Sequence, residues 1–307
     1  MTYRLVKGQL RLTYVNPAGQ TRGGEPDGDS LWFEPAGGAA AFAGLPGPDG
    51  RPRSVELNPG GCVQLRFEAI DALELHYLGR HHQKAPACEE ARDTLLDAIG
   101  FGPRQYATPA SGGIPVRVKR ADPPHPRPGY VLCRSIDPNR RPVVFVYAGT
   151  TTRAEGTQVH LTPAEAKKSL NAKQVANSAA YPTFYTTLPP DIRQAFAALA
   201  QSARTAGKGV WAVDTSREWT PAGSFAQLDA AALWPKLYRR LASYYADGAT
   251  GLGGFMAWLT DPAAKRNDEV SVISTGAMDT ELDDVVEVSG QKVRLKYDVE
   301  DLVVRPR

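Results

Sequence analysis

The chain has 307 residues, 42% hydrophobic and 22% charged, with a formal net charge of +3. That is enough apolar material for one large domain or two small ones. No run approaches the roughly 20 apolar residues of a membrane span, and three cysteines without a C-x-x-C pair exclude a disulfide framework or a cysteine zinc site. The charge is uneven: Val270–Arg307 holds eight acidic and five basic residues, so the rest of the chain carries +6, an asymmetry compatible with a polyanionic partner such as DNA or RNA. The N-terminal "MTYRLVKGQLRLTYV" alternates like a strand and has no apolar leader core, which leads us to expect a cytoplasmic protein.

Strand patterns follow in order at Tyr3–Val15, Ser30–Glu34, Cys62–Ile70, Gly129–Ile136 and Pro142–Ala148, the last two joined by the turn-forming "DPNRR". Three helices are expected. "ACEEARDTLLDAIGFG" aligns Ala91, Leu95, Leu96 and Ile99 and stops at Gly100. "LTPAEAKKSLNAKQVANSA" opens with Thr162 and Glu165 as a capping box and Pro163 at the first helical position. "PDIRQAFAALAQSARTAGKG" repeats Ile192, Phe196, Leu199 and Ala203 and ends in glycine. Segments 35–61, 103–128 and 149–158 are rich in Gly, Pro or polar residues and read as inserted surface loops. Past Trp211 the pattern changes to two short helices broken at Pro235, a Gly-rich turn and four short strands, which places a domain boundary near 215. In the helix "PKLYRRLASYYADG", Leu237, Leu241 and Tyr244 form one face, and Lys236, Arg239 and Arg240 read as a solvated side.

The chemistry concentrates in "LRFEAIDALE", where Arg66, Glu68, Asp71 and Glu74 crowd a strand end. Asp29, in "PDGDSLWF", and Asp71 would form a hard-oxygen site suited to calcium if they converge, and are exposed loop acids if they do not. Strict alternation puts Arg66 and Asp71 on opposite faces, about 16 Å apart along an ideal strand, so only a bulge or a curved strand brings them together. His76, His81, His82 and Cys88 fit no common zinc spacing.

The order "DGDS", "LRFEAIDALE", "EEARDTLLDAI", "DPNRRPVVFVY", "SLNAKQVANSAA", "AQSARTAGKGVW" resembles the staphylococcal nuclease family over roughly Tyr3–Asp214. The R-x4-D-x2-E spacing of Arg66, Asp71 and Glu74 is its most specific part. The resemblance implies an α+β protein with a five-stranded OB-fold barrel and three helices over residues 1–214; the C-terminal α+β accessory region over 215–307, read from its own pattern, has no counterpart in it. It implies a nuclease acting on DNA or RNA and leaving 3′-phosphate and 5′-hydroxyl ends; the expected cytoplasmic location, where such an enzyme must be restrained, leads us to expect a nucleic-acid defence or repair system. Asp29, Asp71 and the Ala72 carbonyl would hold Ca2+ or another divalent ion. Glu74 would be the general base, and Arg66 and Arg141 the phosphate ligands. Phe184 and Tyr185 would contact the nucleotide, and Arg117 and Lys119 would add basic contacts. Ala72 and Leu73 stand where the family commonly has threonine and proline. The C-terminal region suggests a protein partner. The rival expectation is a non-catalytic OB-fold module that binds single strands on a basic, aromatic face.

Overall fold

The computed structural model describes residues 2–121 and 126–305, which form a mixed α+β protein with eight α-helices among them. The chain divides into two compact units. One comprises the residues up to Glu68 together with Arg92–Ala110 and Pro115–Gln174; the other comprises Ala69–Ala91, Ser111–Ile114 and everything from Val175 onward. No helix among the described residues is long and apolar enough to cross a membrane.

The first unit is built on a closed barrel of five strands: β1 (Thr2–Arg11), β2 (Ser30–Pro35), β3 (Val63–Phe67), β4 (Arg127–Ile136) and β5 (Pro142–Ala148). β1 pairs antiparallel with β2, β2 with β3, and β4 with β5, while β3 runs parallel to β5. Antiparallel pairing of β4 with β1, from Arg4↔Cys133 to Leu10↔Arg127, closes the ring. Alternation drives the closure, because Leu31 and Phe33 of β2 and Val63, Leu65 and Phe67 of β3 all point into one core. Tyr3 meets Phe145 edge to face there, with ring centroids 5.7 Å apart.

β5 departs from alternation: Val144, Phe145 and Val146 are all buried, so this strand is covered on both faces. β3 accompanies it only at Val143 and Val144. Beyond that point the side chain of Asn171 stands in for a neighbouring strand, accepting from the Val146 amide (2.9 Å) and donating to the carbonyls of Val144 (2.9 Å) and Glu68 (2.8 Å).

The second unit contains a four-stranded sheet in the order Phe184–Tyr185, Leu302–Val304, Glu269–Val272, Ala277–Glu281, and a three-stranded sheet of Thr220–Pro221, Lys292–Leu295 and Val286–Ser289. Its core gathers Tyr181, Phe184, Ile192, Phe196, Trp234, Tyr238 and Phe255. The Trp234 indole donates to the Thr183 hydroxyl at 3.0 Å, and the Tyr181 hydroxyl to Asp214 at 2.9 Å. Residues 175–214, expected to belong with the barrel, are therefore tied to elements that follow residue 215.

Several local expectations change for identifiable reasons. The single strand expected over Cys62–Ile70 is interrupted after Phe67: Ala69 takes a left-handed φ of 70°, and pairing resumes as the short strand Ile70–Asp71 against Tyr181–Pro182. The helix expected to run from Pro163 splits into Pro163–Ala166 and Leu170–Ala176, because the buried Ser169 hydroxyl donates to the Ala166 carbonyl and accepts from the Ala172 amide, capping the second helix. Segment 103–128 is not simply a loop, since Arg104–Ala107 and Arg117–Ala121 pair as a hairpin; its residues 122–125 lie outside those described. Segment 35–61 carries a 3-10 turn, Gly38–Phe42, that buries Phe42. The three cysteines are buried free thiols.

Candidate functional site

In the first unit the hairpin between β4 and β5 organises two of the expected residues. The Asp137 amide donates to the Arg141 carbonyl at 2.8 Å and the Asp137 carbonyl accepts from the Arg140 amide at 3.0 Å, with Arg140 at a φ of 59°. The Asp137 carboxylate folds back over this turn. Its Oδ1 accepts from the Arg141 amide and its Oδ2 from Arg141 Nε, each at 2.8 Å. Arg66, which projects from β3, brings Nη1 to 3.7 Å from that same Oδ2. The Asp137 side chain is 2% exposed, but those of Arg66 and Arg141 are 32% and 28% exposed. Two partly exposed guanidinium groups thus share one buried carboxylate, an arrangement suited to phosphate oxygens. Asp137 was legible in the sequence only as a turn former.

Asp29 sits one residue before Ser30, which is the register partner of Arg66, and its carbonyl accepts from the Phe67 amide at 3.1 Å. The neighbouring turn is held by Asp27, which accepts from the Ser30 hydroxyl, and by Gln174, which donates to the Gly28 carbonyl. Below this face lies the buried Glu68. Burial raises the pKa of its carboxyl, opposed by Arg134, whose Nη2 lies 3.3 Å away and whose guanidinium also covers the Tyr3 ring.

In the second unit Asp71 and Glu74 are brought together, and what joins them is Arg239. Its Nη1 and Nη2 bond Oδ1 and Oδ2 of Asp71 at 2.9 and 2.5 Å, and Nη1 also bonds Oε1 of Glu74 at 2.5 Å. Burial opposes the charge on Arg239, but Asp71 and then Glu74 more than offset it, so the guanidinium is held protonated well above the ordinary arginine range. The Glu74 backbone is fixed by Gln83, whose Oε1 accepts from the Glu74 amide (3.1 Å), whose amide donates to the Glu74 carbonyl (2.8 Å), and whose Nε2 reaches the Leu233 carbonyl (2.7 Å).

This corrects the reading of the helix Pro235–Ala246 as one with a solvated basic side. Lys236 and Arg240 both pair with Asp268, at 3.1 and 2.6 Å, while Arg239 takes Asp71 and Glu74. Positions 236, 239 and 240 are related by three and four residues and so lie on one helical stripe. That spacing was the available signal, and the acids that match it come from distant segments.

The expected calcium ligands do not fit a cation as they stand. Both oxygens of Asp71 and one of Glu74 already accept from a guanidinium, and among the described residues no group of three or more His, Cys, Asp and Glu side chains is arranged to hold a metal. Ala72, whose carbonyl was the third expected ligand, is buried. Of the expected nucleic-acid contacts, Phe184 is fully buried beside Leu302–Val304. Tyr185 is half-buried, with Lys236 Nζ 5.9 Å from its ring centre. Arg117 pairs with Glu25 at 2.9 Å, and Lys119 is exposed. His81 stacks on Phe225 and approaches Asp229, and Cys88 donates to the Gln83 carbonyl. The sequence matches no protein-family model and no curated protein.

Proposed function

We propose that the protein is a phosphodiesterase acting on DNA or RNA. The observation that carries this reading is the pair Arg66 and Arg141, gathered on the single buried carboxylate of Asp137 with side chains 32% and 28% exposed. The closed five-stranded barrel with β3 parallel to β5 is consistent with an OB-fold, an architecture suited to nucleic-acid chains.

In hydrolysis a water oxygen bonds to phosphorus, its proton passes to a base, the P–O5′ bond breaks, and the leaving 5′ oxygen takes a proton from solvent. The arginine forks would stabilise the charge that builds on the equatorial oxygens. The sequence resemblance names Glu74 as the base, and within the second unit that residue is held in one orientation by Gln83 and Arg239; the resemblance alone relates it to the arginines of the first unit. Because the carboxylates present do not fit calcium, no step is routed through a metal.

The test is incubation of the protein with plasmid, single-stranded DNA and RNA, with end-labelling to detect 3′-phosphate and 5′-hydroxyl termini. Arg66→Ala and Arg141→Ala should each lower the rate about 100-fold, and Glu74→Gln should lower kcat while leaving KM within a few-fold. Absence of cleavage on all three substrates overturns the reading. One observation favours a second reading, a non-catalytic binding module: both acids expected to act in catalysis are engaged by Arg239. That module would bind single strands through Arg66 and Arg141 without cutting them.

A further inference from the structure

Asp71 and Glu74 stand three residues apart on a short segment, and two carboxylates that close are unfavourable without a cation between them. Elsewhere in the second unit Asp268 is shared by Lys236 and Arg240, and Arg204 bridges Asp298 and Glu300 with one nitrogen to each. Here one guanidinium serves both carboxylates, with a forked bond to Asp71 and a single bond to Glu74. The fork is a geometry that a point charge cannot reproduce, since it fixes the plane of the Asp71 carboxylate as well as its charge. The helix that carries Arg239 is itself locked in place. Trp234, just before it, donates to Thr183, and Tyr77 bonds Ser243 at 2.9 Å, so Arg239 does not depend on a flexible loop.

We propose that Arg239 is the built-in cation of this carboxylate pair. It takes the charge-balancing and orienting place that a divalent ion takes between paired acids, and it keeps such an ion from binding there. Resting on the phosphodiesterase reading, the consequence is that Glu74 is a base oriented by an arginine, and Arg239 is a positioning residue of a reaction that proceeds in chelator. The charge count supports this. Arg239 sets one positive charge against two carboxylates, which are the ligand type a hard cation prefers.

The experiment uses the full chain as wild type, Asp71→Asn, Arg239→Lys, Arg239→Met and the double variant Arg239→Met/Asp71→Asn. Calcium chloride is titrated into each by calorimetry, and cleavage of single-stranded DNA is measured in calcium and in chelator. The wild type should give no calcium isotherm that Asp71→Asn removes, and should cleave equally with calcium and with chelator. Arg239→Met should gain a calcium isotherm that is lost in the double variant, and in chelator its kcat should fall about 100-fold, as for loss of a charged partner in an active site, with KM within a few-fold. Arg239→Lys should restore part of that kcat, because charge returns without the fork. Calcium binding by the wild type that depends on Asp71, or cleavage by the wild type only with calcium, overturns the proposal. If nothing cleaves under any condition the phosphodiesterase reading fails, and the calorimetry of Arg239→Met against wild type still decides whether Arg239 is the built-in cation.

Discussion

Arg66 and Arg141 converge on one oxygen, Oδ2 of Asp137, at 3.7 and 2.8 Å. The carboxylate is buried and also holds the Arg141 amide, so it sets the hairpin and the guanidinium pair at once. Asp137→Asn should cost about 1–3 kcal/mol in urea unfolding, the usual penalty for leaving buried charged partners poorly satisfied.

The same pair predicts a salt signature. If each arginine contacts one phosphate of a single strand, Arg66→Ala and Arg141→Ala should each flatten the slope of log Kd against log salt by about 0.7. Fluorescence anisotropy with a labelled oligonucleotide between low and physiological salt reads this directly. Unchanged slopes in both variants would place phosphate binding elsewhere on the protein.

Asn171 supplies three hydrogen bonds to backbone groups of β5 and Glu68. Asn171→Ala leaves buried donors and acceptors without these partners and should cost about 3 kcal/mol or more. Asn171→Asp keeps the acceptor for Val146 but turns a carboxylate toward two carbonyls, and should be no more stable than the alanine variant. Unfolding midpoints of the two variants give the comparison.

Asp268 carries a pH prediction. Burial opposes its ionisation, but Lys236 and then Arg240 outweigh that and hold its carboxyl below the ordinary value of 3.8. The unfolded chain therefore binds the proton more readily, and the stabilisation is complete above the unfolded pKa and is lost as pH falls through the lower folded one. Asp268→Asn should cost about 3 kcal/mol at pH 7, as for one half of a largely buried ion pair. In thermal melts the gap between wild type and variant should stay constant down to about pH 4 and narrow below it.

Ser169 ends one helix and starts the next. Ser169→Ala should cost about 1 kcal/mol, in the range of lost helix caps, and Ser169→Asp should recover part of it if the side chain still reaches the Ala172 amide. Denaturant midpoints test both.

Much of the barrel was legible because its strands alternate cleanly: Leu31 and Phe33, then Val63, Leu65 and Phe67, mark their buried faces without help from the rest of the fold. Helix starts were legible where local chemistry fixes them, as at Thr162, which accepts from the Glu165 amide. The break at Ser169 was hidden, because a serine within a helical pattern caps only if its neighbours let the chain turn. Ala277–Glu281 was missed because it is the edge of its sheet and its sequence lacks apolar alternation. Asp71 and Glu74 were singled out from their spacing, but their partner Arg239 lies more than 160 residues further along the chain. Local pattern cannot announce a pairing over that distance, although the stripe formed by Lys236, Arg239 and Arg240 announces that some acid must face it.

The parallel pairing of Phe184–Tyr185 with Val303–Val304 has a consequence for synthesis. All five barrel strands lie before residue 149, so the first unit's sheet can close while later codons are still being read. The four-stranded sheet of the second unit cannot close until its central strand, Leu302–Val304, has emerged, on the order of ten seconds after Phe184 at ordinary translation rates. For the first part of that interval, up to codon 239, Asp71 and Glu74 have been made but their arginine has not. A chain stalled before codon 239 therefore carries the acidic pair without its guanidinium, and such stalled chains should take up more calcium than the finished protein does.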